Sequence, residues 1–190
     1  YNNNKGEHMN SIHKIFLSSI ILILSSCASN GSFFTSGDPD GDGITKGHGY
    51  YVKQRTATGN KVFIFDPRHR SWAAYNENGR LVNTGKGSGG KNWCADIGRS
   101  CKTKEGTYQV VREGSAECKS GKYPIKTNGG APMPYCMHFG HEGYAIHASK
   151  DVPDDRNASH GCVRVTLKSA KWLNHDFIDV GTTVIIHPYE

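Results

Sequence analysis

Three patterns are missing from this chain, and each absence closes a class of function. No two Lys or Arg residues are adjacent anywhere in the 190 residues, so the net charge of +6, from 23 basic and 17 acidic side chains, is spread thinly. That argues against nucleic-acid recognition, which gathers basic residues on one face, and leaves an anionic polymer or lipid as the expected partner. Only one long apolar run exists, and hydrophobic residues make up just 36% of the chain, which excludes a polytopic helical membrane protein. There is no internal repeat and no low-complexity tract. Proline is scarce at 7, glycine is plentiful at 23, and 19 aromatic residues are too much apolar material for a disordered polypeptide. A folded, glycine-rich, mainly β domain is expected.

The apolar run lies near the N-terminus. From Met9 the chain reads MNSIHK, then ten apolar-dominated residues from Ile15 to Leu24, then small residues before Cys27. Ten residues are too few to span a bilayer, and the order of basic, apolar and small segments is that of a secretion signal. Leu24-Ser25-Ser26-Cys27 resembles a lipoprotein lipobox, which implies cleavage before Cys27 and a diacylglycerol on its thiol. Residues 1–8 are expected to be upstream or expression-derived, residues 9–27 the signal, and residues 28–49 a linker of Gly, Ser and Asp. Asp38-Pro39-Asp40-Gly41-Asp42-Gly43 opens like a calcium loop. Gly49 stands where the closing bidentate Glu belongs, however, so a turn-rich tether is the better reading.

From Tyr50 to the end a catalytic-sized domain is expected. Alternation predicts strands in YYVKQR, KVFIFD, SWAAYN, RLVNTG, TYQVVRE, GYAIHAS and TTVIIHP, with a hairpin turn at Glu77-Asn78-Gly79 and an antiparallel arrangement. Leu167, Ala170, Leu173 and Phe177 recur at intervals of three and four, which predicts one amphipathic helix over Thr166 to Phe177.

The densest chemistry lies between Cys136 and Arg164, with four of the ten histidines. A cysteine acting as nucleophile needs a base or cationic neighbour, because a free thiol is only a few per cent ionised at neutral pH. Cys162 has His147 and His160 as candidates, Gly161 to let the backbone approach a carbonyl, and Arg164 two residues on to hold a carboxylate. Residue chemistry alone leaves two other roles open for Cys162. One is a zinc site drawn from Cys136, His138, His141, His147, His160 and Cys162; the other is a disulfide.

Ile146-His147-Ala148, a ten-residue gap, and Ser159-His160-Gly161-Cys162-Val163-Arg164 resemble the signature of the L,D-transpeptidase catalytic domain, the YkuD-type family. KVFIFD with SWAAYNENGRLV, Thr103-Lys104-Glu105-Gly106-Thr107-Tyr108, Met133-Pro134-Tyr135 and the closing GTTVIIHP resemble other parts of that domain in the same order. Cys94 to Cys101 looks like an insertion of the subgroup labelled enhanced-entry proteins. The resemblance implies an L,D-transpeptidase-like β-sandwich with one helix near its C-terminal end, working without metal or organic cofactor on peptidoglycan stem peptides in the bacterial envelope. It implies Cys162 as nucleophile, His147 as base and acid, and the backbone at His160, Gly161 and Cys162 as oxyanion hole. Ser159 and His160 would shape the pocket, and Arg164 would take a stem carboxylate. Cys94, Cys101, Cys118 and Cys136 would then form two disulfides, with sequence-adjacent pairing favoured because it closes the shortest loops. A catalytically silent wall-binding or host-contact protein on the same fold and a zinc hydrolase are the rival readings. Ala28 after Cys27, in place of the Asp that retains some lipoproteins at the inner membrane, points to the outer membrane.

Three departures from the family pattern stand out. Ala148 follows His147 where Gly or Ser is usual, so a backbone carbonyl or another side chain must orient the ring. Lys104 replaces a proline. Asp151, Asp154 and Asp155 crowd the loop beside a pocket meant for carboxylates.

Overall fold

The computed structural model describes residues 50–190. The signal, lipobox, linker and calcium-like segment lie outside the described residues. Eight strands, β1 (Val62–Asp66), β2 (Ser71–Tyr75), β3 (Leu81–Ser88), β4 (Gly106–Glu113), β5 (Met137–Phe139), β6 (Tyr144–Ala148), β7 (Val163–Val165) and β8 (Thr183–Ile186), are joined by one helix, α1 (Leu167–Trp172). They close in the order β1-β2-β3-β7-β6-β5-β4-β8, with β8 returning to β1. Among the described residues no helix is long and apolar enough to cross a membrane.

The sheet is mainly antiparallel as expected, at six of its eight seams, and departs from that at two. β1 pairs parallel with β8, and β6 pairs parallel with β7. Period-two alternation reports which face a side chain takes and says nothing of strand direction. Neither parallel pair is joined by a tight turn: the loop after Ala148 links β6 to β7, and β1 and β8 are the first and last of the eight strands. YYVKQR is not a ladder strand either. It makes a single bridge, Gln54 with Arg80, and is held as a strap by Tyr51 Oη on the Ser71 carbonyl (2.9 Å) and Tyr75 Oη on the Val52 carbonyl (2.9 Å).

All five residues of β1 are buried because the strand serves two cores. Phe63 and Phe65 enter the main cluster with Trp72, Phe139, Ile146, Val163 and Leu173, while Ile64 joins Tyr51, Ala73, Tyr75 and Leu81 on the other side. Each fully buried side chain of this size contributes about 1.5–3 kcal/mol, so β1 anchors the barrel. Thr166 caps α1 by accepting the Ser169 N–H (3.2 Å), and the helix continues as a π-helical turn through Leu173–Phe177. Ala170, Leu173 and Phe177 face the core as their spacing predicts. Leu167 does not: at the first helical position it lies past the core edge and is 52% exposed.

Candidate active site

The site grows from three adjacent strands. In β5 and β6, Met137 pairs with Ile146 and His138 with Ala145; in β6 and β7, Ile146 pairs with Val163 and His147 with Arg164. Met137, Phe139, Ile146, Val163 and Val165 point into the main core. Alternation therefore puts His138, Ala145, His147, Cys162 and Arg164 on the opposite face. Sequence far apart is brought onto one surface by the parallel β6–β7 seam.

Cys162 is half-buried and is the only free cysteine among the described residues. Cys94 is bonded to Cys101 and Cys118 to Cys136. The second cystine, with Met133 and Ala145, packs against Cys162. Burial pushes the Cys162 thiol up, while the Ala145 N–H and the nearby Arg164 charge partly offset this by favouring thiolate. His147 is buried, and burial brings its pKa down to about 4, assisted by the neighbouring Arg164 and His138 charges and opposed by the bond to Ala148. At neutral pH the ring is uncharged. Its Nδ1 lies 2.8 Å from the Ala148 carbonyl oxygen, which accepts only if Nδ1 carries the proton and so leaves Nε2 with a lone pair.

The turn before Cys162 is braced by Ser159, which is buried. Its hydroxyl donates to the Cys162 carbonyl and accepts the Gly161 N–H (3.0 Å). The Gly161 N–H is thus engaged within the turn, which leaves the His160 and Cys162 N–H groups as the oxyanion candidates. Gly161 itself has φ +119°, and a Cβ there would sit 2.8 Å from the Tyr144 ring, so two constraints select glycine. Gly90 pairs with Ser159 and is likewise closed to a side chain by the Cys101 backbone.

His160 has partners of its own. Its Nε2 lies 2.8 Å from Asp96 Oδ2 and its ring packs on Tyr123, with centroids 4.6 Å apart. Asp96 belongs to the Cys94–Cys101 loop and Tyr123 to the Cys118–Cys136 loop, so His160 ties two disulfide-closed loops across the site. Neither partner carried a sequence signal, because both sit in irregular loops.

Arg164 donates to Asp151 Oδ2 at 2.8 Å, so the guanidinium expected to take a carboxylate already holds one from its own chain. The acidity of that loop is matched throughout. Asp154 lies 3.9 Å from Lys86 and Asp155 3.0 Å from Arg156, while Arg70 donates to the Asp154 carbonyl (2.6 Å) and Asn157 to the Pro67 carbonyl (2.9 Å). The loop is a neutralised wall pinned to the β1–β2 turn.

Cys162 and His160 open into a cleft of about 400 Å³ that is also lined by Arg99, Arg112, Lys122, Tyr123, His138 and Tyr144. The six proposed zinc ligands are not gathered there as one set. The two groups with ligand atoms within 4.8 Å of one another are Cys94, Cys101, His160 and Cys118, Cys136, His138, and each contains a cystine with no thiolate to offer a metal.

Comparison with known proteins places the fold. The crystal structure of an L,D-transpeptidase from Xylanimonas cellulosilytica aligns with 74% of this chain and 66% of its own, at 26% identity and a TM-score of 0.59. An L,D-transpeptidase from Mycobacterium smegmatis aligns with 68% of this chain and 59% of its own, at 18% identity and a TM-score of 0.56. L,D-transpeptidase 3 from Mycobacterium tuberculosis, solved with a faropenem-derived adduct, aligns with 68% and 59%, at 17% identity and a TM-score of 0.56. The chain thus spans about two thirds or less of the length of these structures, and the two mycobacterial likenesses speak to the fold. No curated protein matches the chain. The sequence model of the YkuD L,D-transpeptidase catalytic domain matches residues 59–186, well over half the chain and the whole of the site, and the protein therefore belongs to that family.

Proposed function

We propose that this protein is a peptidoglycan L,D-transpeptidase. The observation that carries the reading is that Cys162 alone among the five described cysteines keeps its thiol, and it does so at the cleft, on the same strand-pair face as a neutral, oriented His147. The donor is a tetrapeptide stem. Cys162 Sγ attacks the carbonyl joining its third residue to the terminal D-Ala, and the thiol proton passes to His147 Nε2. The oxyanion is held by the Cys162 and His160 N–H groups. As the C–N bond breaks, His147 returns the proton to the departing D-Ala nitrogen, leaving a thioester on Cys162. An amine from a second stem or a protein then attacks the thioester and loses a proton to His147, which restores the thiol and forms a 3-3 cross-link or protein attachment. Water in the amine's place gives L,D-carboxypeptidase activity. Because His147 is neutral in the resting protein, deprotonation of the thiol accompanies attack rather than preceding it.

Arg164 serves here as a positioning residue. It favours the thiolate through its charge and fixes the 149–158 wall through Asp151. Residues 9–27 supply the export signal and Cys27 the lipid attachment, residues 28–49 the tether, and residues 50–190 the working domain, at the periplasmic face of the envelope and by preference the outer membrane. The test is D-alanine release and 3-3 cross-link formation from tetrapeptide stems. Native protein is expected to give both and Cys162→Ala neither; release that persists in Cys162→Ala would reject the reading.

A further inference from the structure

We infer that Arg99, Arg112 and Lys122 form a carboxylate-reading wall that makes this enzyme select acyl donors whose stem carboxylates are free rather than amidated. The inference rests on the transpeptidase reading for its donor and on the cleft itself for its selectivity. Ion pairing separates these three from Lys102, the other cation lining the cleft, and from several cations at its margin. Arg164 is bound by Asp151, Lys102 by Glu190, Lys104 by Glu142, Lys86 by Asp154 and Arg156 by Asp155. Among the described residues no carboxylate lies within ion-pair distance of Arg99, Arg112 or Lys122, although all three line the cleft that holds Cys162. The one acidic residue lining that cleft, Glu142, is itself held by Lys104 at 3.0 Å.

Their placement is built by the fold. Arg112 on β4 pairs with His138, His138 pairs with Ala145, and the Ala145 N–H meets the Cys162 sulfur, so one row across three strand seams runs from Arg112 to the nucleophile. At about 4.8 Å per seam the row spans roughly 14 Å, the scale of about four residues of an extended peptide. Arg99 comes from the Cys94–Cys101 loop and Lys122 from the Cys118–Cys136 loop, the two loops that His160 ties together. Their charges are felt inside the cleft: Arg112 disfavours a second positive charge on His138, and Arg99 favours ionisation of Tyr144. Three cations without a carboxylate partner around one electrophile's binding site, Lys122 resting only on the Tyr123 ring at 5.5 Å, match a donor with three carboxylates. A stem of the form L-Ala-γ-D-Glu-X-D-Ala, with X a diamino dicarboxylic acid, supplies them: the D-Glu α-carboxylate, the second carboxylate of X and that of the leaving D-Ala. Amidation removes the first two charges, and neutral amides cannot repay the desolvation of guanidinium and ammonium groups as carboxylates do.

The experiment offers native protein the free stem and the stem amidated at both internal carboxylates. Thioester formation is followed by intact mass, and in parallel the two stems are titrated onto Cys162→Ala. Acylation by the free stem is expected to be at least about 10-fold faster, an advantage of about 1.4 kcal/mol, and its binding to Cys162→Ala correspondingly tighter. Arg99→Gln, Arg112→Gln and Lys122→Gln should each shrink the ratio, the triple variant should bring it near unity, and rising salt should do the same to native protein. Iodoacetamide should still alkylate Cys162 alone among the described cysteines in the triple variant, and its urea unfolding midpoint should stay near native, showing an intact site. Equal rates and affinities for the two stems, or a preference that survives the triple variant, would overturn the wall. Preferential binding of the free stem to Cys162→Ala without acylation of native protein would uphold the wall and reject the transpeptidase reading instead.

Discussion

His147 Nδ1 and the carbonyl oxygen of Ala148 lie 2.8 Å apart, so the candidate base is oriented by the residue beside it in the chain. A carboxylate third member would raise the basicity of the ring; a peptide carbonyl orients it without adding charge. Burial, helped by the Arg164 and His138 charges, outweighs that bond and leaves a base of pKa about 4. Lowered below the ordinary 6.5, His147 stays neutral down to about pH 4. Acylation should therefore show no loss centred near pH 6.5 and should fall only as the pH approaches 4. A stopped-flow acylation profile between pH 4 and 8 checks this. His147→Ala should slow acylation by about 10²–10⁴-fold across the range.

Ser159 holds both ends of the turn that presents the Cys162 thiol, through the Gly161 N–H and the Cys162 carbonyl. Ser159→Ala leaves a buried donor and acceptor unmatched, at a cost of about 1–3 kcal/mol in unfolding free energy. Ser159→Thr should recover most of the stability if its methyl is accommodated. Gly161→Ala should do worse, since it meets Tyr144 and needs φ +119°. Urea unfolding ranks the three, and Gly161→Ala should also lose acylation.

The two disulfides close loops with sequence separations of 7 and 18. By chain entropy their removal should cost about 2.5 and 3 kcal/mol respectively. Their effects on the site should differ more than their effects on stability. Cys118→Ser with Cys136→Ser removes the cystine that packs on Cys162, so iodoacetamide reactivity of Cys162 should change. Cys94→Ser with Cys101→Ser loosens Asp96 from His160 and should leave that reactivity near native.

How much of this was legible beforehand differs by element. Phe63, Phe65 and the hairpin at Glu77 to Gly79 were readable because local alternation and turn chemistry decide them. β5 and β7 were not, since three residues each are too few to show a period, and their neighbours decide their state. The motif around Cys162 pointed to the family, and Ala148 left a backbone carbonyl or another side chain as the orienter of His147. What no local pattern could convey was tertiary: Asp151 on Arg164, Asp96 and Tyr123 about His160, and the unpaired Arg99, Arg112 and Lys122. Each depends on loops whose course is set by disulfides and by the parallel seams.

Asp66 is fully buried at the end of β1 and binds the N-terminal strap through Tyr50 Oη at 2.7 Å. Burial pushes its carboxyl up, but bonds from Tyr50, the His69 N–H and the His69 and His187 rings outweigh this and hold it at about 2. Its pKa is thus lower folded than unfolded, so its contribution, about 2 kcal/mol, is present above pH 4 and is lost as the pH falls from about 4 to about 2. Asp66→Asn should lower the melting temperature at pH 7 and flatten its dependence on pH in that acidic window, as calorimetry would read.

The central claim is that Cys162 is the acylated nucleophile, and intact mass spectrometry after incubation with a tetrapeptide stem, and separately with a carbapenem, tests it most directly. The account predicts an adduct of stem mass less D-alanine, and one of carbapenem mass, each mapping to Cys162 and absent from Cys162→Ala. An unmodified protein under both conditions, or an adduct retained in Cys162→Ala, would contradict it.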